Sequence, residues 1–139
     1  MNLKGEESGS FATVDLLIMD VGSRQADLYK YGAAPTYIKH HGSVRRLTGT
    51  ALPAGLQDPH TPPVPIRFTP EPDSFLLLVS DGLSDVTADS WLQDFLAGWQ
   101  GNDPQRLVSV LMAESKKRLG ARDDSSCLCL YLPPQAKEV

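Results

Sequence analysis

Ser74-Phe75-Leu76-Leu77-Leu78-Val79-Ser80-Asp81-Gly82 decides how this 139-residue chain reads. Alternate side chains of a strand point to opposite faces, so a run that is apolar at every position buries both. That is the pattern of a central strand covered on each side. The run stops at Asp81-Gly82, which places a carboxylate at the C-terminal end of the most buried strand. Later in the chain Asp123-Asp124 stands immediately before a second apolar run, Ser125 to Leu132, stopped by Pro133-Pro134. If the two strands lie side by side and antiparallel, the end of one and the start of the other share a sheet edge. Asp81 and Asp123 then converge although 41 residues separate them.

Upstream, Phe11 to Val21 alternates, with Ala12, Val14, Leu16 and Ile18 apolar and Thr13 and Asp15 polar. This predicts a strand whose Ala12–Ile18 face meets a core. Gly22-Ser23-Arg24-Gln25 reads as a turn, and Ala26 to Tyr31 returns as the hairpin partner. Thr36 to Lys39 and Val44 to Leu47 are further short strands. Seven of the eleven prolines fall between Pro53 and Pro72, so that stretch is expected to be irregular. Only Val64 to Phe68 looks extended there, as an edge strand.

Two helices are expected between the strands of the opening paragraph. Asp89 reads as the N-cap of the first, with Trp91, Leu92, Phe95, Leu96 and Trp99 as its apolar stripe. Asp103 caps the second, with Pro104 at its first position, Gly120 just past its end, and Leu107, Val108, Leu111 and Met112 as its apolar face. Lys116, Lys117 and Arg118 suit the negative end of its dipole. Strands, a helix pair and a closing strand make an α+β fold, with helices on one face of a mostly antiparallel sheet.

The remaining sequence excludes several function classes. A formal net charge of −4 with no basic block argues against nucleic acid or an anionic membrane as partner. Arg45-Arg46 and Lys116-Lys117-Arg118 read as solvated clusters. The apolar runs are too short to span a bilayer, and the N-terminus has no signal-peptide core, so a soluble, cytoplasmic chain is expected. Cys127 and Cys129 share one face of the last strand and read as buried, reduced thiols rather than zinc ligands. His40, His41 and His60 lie in expected turns or loop and read as surface residues. There is no G-x-S-x-G elbow and no Walker-type or Rossmann glycine loop.

What is left is the carboxylate pair. Convergent oxygen donors at the rim of a buried sheet suit hard cations such as Mg²⁺ and Mn²⁺. Gly82, without a Cβ, permits a tight turn and lets its carbonyl approach a metal. Asp-Gly after a strand is also a common turn, and Asp-Asp before one a common cap. Their joint placement, not either motif alone, points to a site.

Five motifs then occur in a telling order: Phe11-Ala12-Thr13-Val14-Asp15-Leu16, Tyr29 to Ile38 with Gly32-Ala33-Ala34-Pro35 inside it, Leu52-Pro53-Ala54-Gly55-Leu56, Ser80-Asp81-Gly82-Leu83 and Asp123-Asp124-Ser125-Ser126. The series resembles the back half of the PPM (type 2C) metal-dependent protein phosphatase fold, a β-sandwich flanked by helices. The G-x-x-P motif with its following aromatic and Ile is closest to the stage II sporulation protein E branch, with general stress-response phosphatases the nearest rival. The resemblance covers residues 11–133 and leaves 1–10 as a flexible segment and 134–139 as a tail.

The resemblance implies hydrolysis of phosphoserine or phosphothreonine with two Mn²⁺ or Mg²⁺ ions and no covalent enzyme intermediate. Asp81 and Asp123 then match metal ligands, Gly82 the metal-site turn, and Asp124 a residue behind the ligands; no catalytic group beyond these is implied. In the sporulation branch it implies a phosphorylated anti-anti-sigma protein as substrate and a parent protein anchored in the membrane with this domain on the cytoplasmic side. The family's Asp-Gly-x-Gly motif and acidic strand residue have no counterpart here, and Ser125-Ser126 stands where Met-Thr is usual. The chain alone is therefore expected to be inactive, with metal binding weak or absent. Pairing with the missing half of the domain or with a second copy would cover its open surface. A catalytically dead phosphatase-like module for binding or self-association is the rival from another class. An unrelated α+β scaffold with two ordinary turns is the third.

Overall fold

The computed structural model describes residues 12–49, 52, 55, 60, 62–83, 89–120 and 124–135. The elements are β1 Val14–Met19, β2 Ala26–Tyr31, β3 Thr36–His40, β4 Ser43–Leu47, β5 Ile66–Phe68, β6 Ser74–Val79, α1 Ser90–Gly98, α2 Pro104–Leu119 and β7 Cys127–Leu132. The class is α+β with a helix pair before the last strand, as the sequence predicts. The chain forms two compact units, one within Met1–Ala33 and Gly49–Thr69, the other within Ala34–Thr48 and Pro70–Val139.

The first unit is an antiparallel sheet in the order β1-β2-β5. Its hairpin turn is closed by Asp20, whose Oδ1 accepts from the Gly22 and Ser23 amides at 2.8 and 3.0 Å. These two backbone donors hold the Asp20 carboxyl below its ordinary value. Arg24 takes the left-handed conformation (φ 63°), and the Asp20 amide bonds back to the Gln25 carbonyl at 2.9 Å.

The β1 face expected to meet a core is the exposed one: Val14, Leu16 and Ile18 are 36%, 48% and 54% exposed. Asp15, Leu17 and Met19 on the opposite face are half-buried. The reason is a cross-strand partner that alternation alone does not reveal. Asp15 lies opposite Lys30, and the Lys30 ammonium reaches both carboxylate oxygens at 2.9 Å. Lys30 shares its face of β2 with the fully buried Ala26 and Leu28. Burial pushes the Lys30 ammonium below its usual value, and Asp15 pushes back.

The second unit is a four-stranded antiparallel sheet in the order β4-β3-β6-β7. β3 and β6 are central and buried almost throughout, as the apolar run 75–79 predicts. On one face Tyr37, Phe75, Leu77 and Val79 pack with Leu83 and with Leu92, Leu96, Leu107 and Leu111 of the two helices. Each fully buried leucine contributes about 1.5–3 kcal/mol relative to exposure. Cys127 and Cys129 share this face but are half-buried rather than buried, and both are free thiols.

The two helix starts differ in physics. Asp103 caps α2 as expected, accepting from the Gln105 and Arg106 amides at 3.0 and 3.3 Å, with Pro104 next and Gly120 (φ 74°) at the far end. Asp89 precedes α1 without any side-chain cap bond. Its carboxylate instead accepts from the Tyr37 hydroxyl at 2.5 Å, from Arg46 at 2.9 and 3.0 Å, and from Gln93 at 3.0 Å. Arg46 is thus an ion-pair partner of a buried aspartate and not a solvated cation. In the other basic cluster, Arg118 pairs with Glu114 at 2.8 Å and lies over the Trp91 ring. No helix among the described residues is long and apolar enough to cross a membrane.

Candidate functional site

β6 and β7 are antiparallel neighbours, with Val79 opposite Cys127. The segment after β6 therefore meets the segment before β7, as the placement of the aspartates requires. The Ser80 amide donates to the Ser126 carbonyl at 2.9 Å, and the Ser126 amide donates to Ser80 Oγ at 2.9 Å. The chain then turns: the Leu83 amide donates to the Ser80 carbonyl at 3.0 Å, and the Leu83 side chain is fully buried in the helix-side core. One end of the Ser80–Leu83 turn is tied to the neighbouring strand and the other is anchored in the core.

Gly82 sits at the crossing. A Cβ built there would lie 2.2 Å from the Asp124 carbonyl oxygen and 3.2 Å from Ser125 Oγ. Real Cβ atoms do not approach backbone oxygen so closely, so only glycine fits, for reasons of space rather than of dihedral angle. The closeness places the Asp81 turn directly against Asp124. Asp81 and Asp124 are both exposed. Asp123 lies outside the described residues.

The donors available at this edge are carboxylate and carbonyl oxygens, the set that hard divalent cations take. Among the described residues no group of three or more His, Cys, Asp or Glu side chains is gathered for a metal. The histidines are elsewhere. His40 and His41 stack with ring centroids 4.1 Å apart, His40 beside Glu71 and His41 beside Asp73, next to the start of β6. The six residues of β6 put roughly 17 Å between that end and the Asp81 turn. His60 is exposed, as expected.

The model of the family described as Stage II sporulation protein E (SpoIIE) matches residues 1–133. The chain belongs to the SpoIIE family. Stage II sporulation protein E of Bacillus subtilis (strain 168) is 28% identical over 109 residues, which is 75% of this chain and 13% of that protein. The chain thus spans a small part of the curated relative's length. The solved phosphatase domain of SpoIIE from Bacillus subtilis, presoaked with Mn, superposes with a TM-score of 0.74 at 21% identity, covering 100% of this chain and 63% of that one. The catalytic domain of the serine threonine protein phosphatase PstP, in complex with 2 manganese ions, superposes with a TM-score of 0.66 at 16% identity, covering 94% of this chain and 64% of that one. The fold of this SpoIIE-family chain is that of PPM-type phosphatase domains.

Sequence reasoning missed the Asp89 cluster. Tyr37, Arg46 and Asp89 are far apart in sequence, and Asp89 carries a sufficient local explanation as a cap. The β3–β4 and β3–β6 pairings set Tyr37 opposite Arg46 and bring both to the start of α1.

Proposed function

We propose that this chain is the back part of a metal-dependent serine/threonine phosphoprotein phosphatase domain, with Asp81 and Asp123 as metal ligands. Gly82 allows the turn to seat against the strand that follows Asp123, and Asp124 stands behind the ligands. The observation that carries the reading is the seat of Gly82 on the Asp124 backbone, which joins the two acidic motifs at one sheet edge. Mn²⁺ or Mg²⁺ bound there would lower the pKa of water and offset phosphate charge. The protein's share is to hold Asp81 on a turn fixed at Ser80 and Leu83, so that its carboxylate meets the cation in a set orientation. A phosphorylated anti-anti-sigma protein is the substrate this family membership favours, acting in sporulation or stress signalling. A membrane-anchored parent with this domain on the cytoplasmic side goes with it.

Two acids do not make a binuclear centre, and the chain by itself is inactive. The test joins it to the front portion of the phosphatase domain of the Bacillus subtilis relative. Mn²⁺-dependent phosphopeptide hydrolysis by the hybrid, abolished by Asp81→Asn, is the expected result. Hydrolysis by this chain alone would overturn the inactivity. A folded hybrid with no activity would overturn the phosphatase reading.

The exposed Val14, Leu16 and Ile18 of edge strand β1 favour a second reading, in which the chain serves as a phosphatase-like module that associates with a second copy or with the rest of its domain. Mass in solution separates the two: a concentration-dependent dimer supports association, and a monomer at every concentration removes self-association.

A further inference from the structure

The end of the second unit away from the Asp81 turn carries a cavity of about 250 Å³. Its walls come from the β3–β4 turn, the start of β6 and the segment after α1, and they include Lys39, Asp73, Phe75 and Trp99. Lys39 lies opposite Phe75 in the β3–β6 register and is 5% exposed. Its ammonium donates to the His41 carbonyl, and among the described residues no carboxylate stands within ion-pair distance of it. A buried ammonium has three donors and a full charge to satisfy, and one neutral carbonyl meets neither need. Asp73 acts on it only from a distance, because the Asp73 carboxylate accepts from the Tyr131 hydroxyl at 2.6 Å and faces His41 Nε2 at 3.1 Å.

A second wall group is also incomplete. The Trp99 indole N–H is buried and has no acceptor among the described residues. Phe75 and Trp99 give the cavity an aromatic lining beside the cation. The lining is thus mixed, polar at Lys39, His41, Asp73 and Gln100 and aromatic at Phe75 and Trp99, and a few polar groups set beside an apolar wall are what orient a ligand in a pocket.

We propose that this cavity binds a small organic anion, an aromatic or branched carboxylic acid of modest size. Its carboxylate replaces the missing counter-charge on Lys39 and its body lies along Phe75 and Trp99. The site is independent of the phosphatase reading, since it sits at the other end of β6 and uses none of the acidic motifs.

The experiment titrates the chain with benzoate, its neutral analogue benzamide, and inorganic phosphate, following the Trp99 indole N–H resonance by NMR. Benzoate moves that resonance saturably, and benzamide and phosphate bind about tenfold more weakly or not at all, as loss of a charge-assisted bond or of the apolar contact demands. Lys39→Met abolishes benzoate binding and keeps the fold, because an apolar side chain of similar length replaces an incompletely paired charge. Ala97→Phe, which fills the space from the α1 side, also abolishes it. Absence of saturation with benzoate overturns the proposal. So does equal binding of benzamide or phosphate, or benzoate binding that survives Lys39→Met.

Discussion

Gly82→Ala tests the join between the two acidic motifs. The added Cβ would stand 2.2 Å from the Asp124 carbonyl oxygen, against an ordinary limit of 3.0 Å, and the obstacle is backbone on a strand boundary, not a flexible side-chain tip. The turn or the Asp124 peptide must retreat by most of an ångström. The bonds at risk are the reciprocal pair between Ser80 and Ser126, both 2.9 Å. Overpacking costs about 1–3 kcal/mol and each lost hydrogen bond about 1 kcal/mol, so a loss of about 2–4 kcal/mol is expected. Both tryptophans, Trp91 and Trp99, belong to the second unit, so their fluorescence reports its unfolding in urea. With a slope of about 2 kcal/mol per molar, the midpoint falls by roughly 1–2 M. Gly98→Ala is the control: no atom lies within 4 Å of its Cβ, and alanine favours a helix by about 0.5–1 kcal/mol. The reasoning is refuted if Gly82→Ala leaves the midpoint where it was while Gly98→Ala raises it.

Asp89→Asn removes the charge that Arg46 faces and weakens the Tyr37 and Gln93 bonds, for a loss of about 2–3 kcal/mol by the same urea titration. Burial pushes the Asp89 carboxyl up, but the Tyr37, Arg46 and Gln93 donors outweigh it and hold the group below its ordinary value. Its stabilisation is therefore whole above the ordinary carboxylate pKa and lost as pH falls through the lowered folded value. Asp89→Asn should flatten that acid limb of the stability curve. Asp103→Ala removes the α2 cap and should cost about 1 kcal/mol, read by the same fluorescence transition. Burial, with Cys127 adding to it, pushes the Cys129 thiol up to about 12, so at pH 8 iodoacetamide should label it slowly in the native chain and rapidly in urea, as mass spectrometry can count.

The parts of the fold legible in sequence are those where one local rule suffices. The apolar run 75–79 gives a central strand because it is short, apolar on both faces and bounded by Pro72 and Asp81-Gly82, and Asp103, Pro104 and Gly120 bound α2 through backbone chemistry that acts within a few residues. The misread parts depend on partners distant in sequence. The face of β1 is decided by Lys30 across the hairpin, since an ion-paired aspartate can occupy the side that alternation assigns to solvent. The Asp89 carboxylate serves Tyr37 and Arg46, 52 and 43 residues away, and the Gln93 side chain, and caps no backbone amide of its helix. A local pattern shows which roles a residue can take, and long-range pairing selects among them.

The meeting of the Asp81 turn with the segment before β7 is legible for the opposite reason: its long-range step reduces to a single question, whether β6 and β7 are antiparallel neighbours. Their register answers it, since Val79 opposite Cys127 fixes where Ser80, Asp81 and Gly82 fall relative to Asp124 and Ser126. A one-residue slip would turn Leu77 and Val79 away from the helices, which the buried core on that face forbids. The same packing that holds the sheet against its helices therefore sets which residues meet at its rim. Gly82 is the consequence, because the strands close to a distance at which a side chain on the turn has no room. The steric demand at Gly82 and the placement of Asp81 are thus two results of one register.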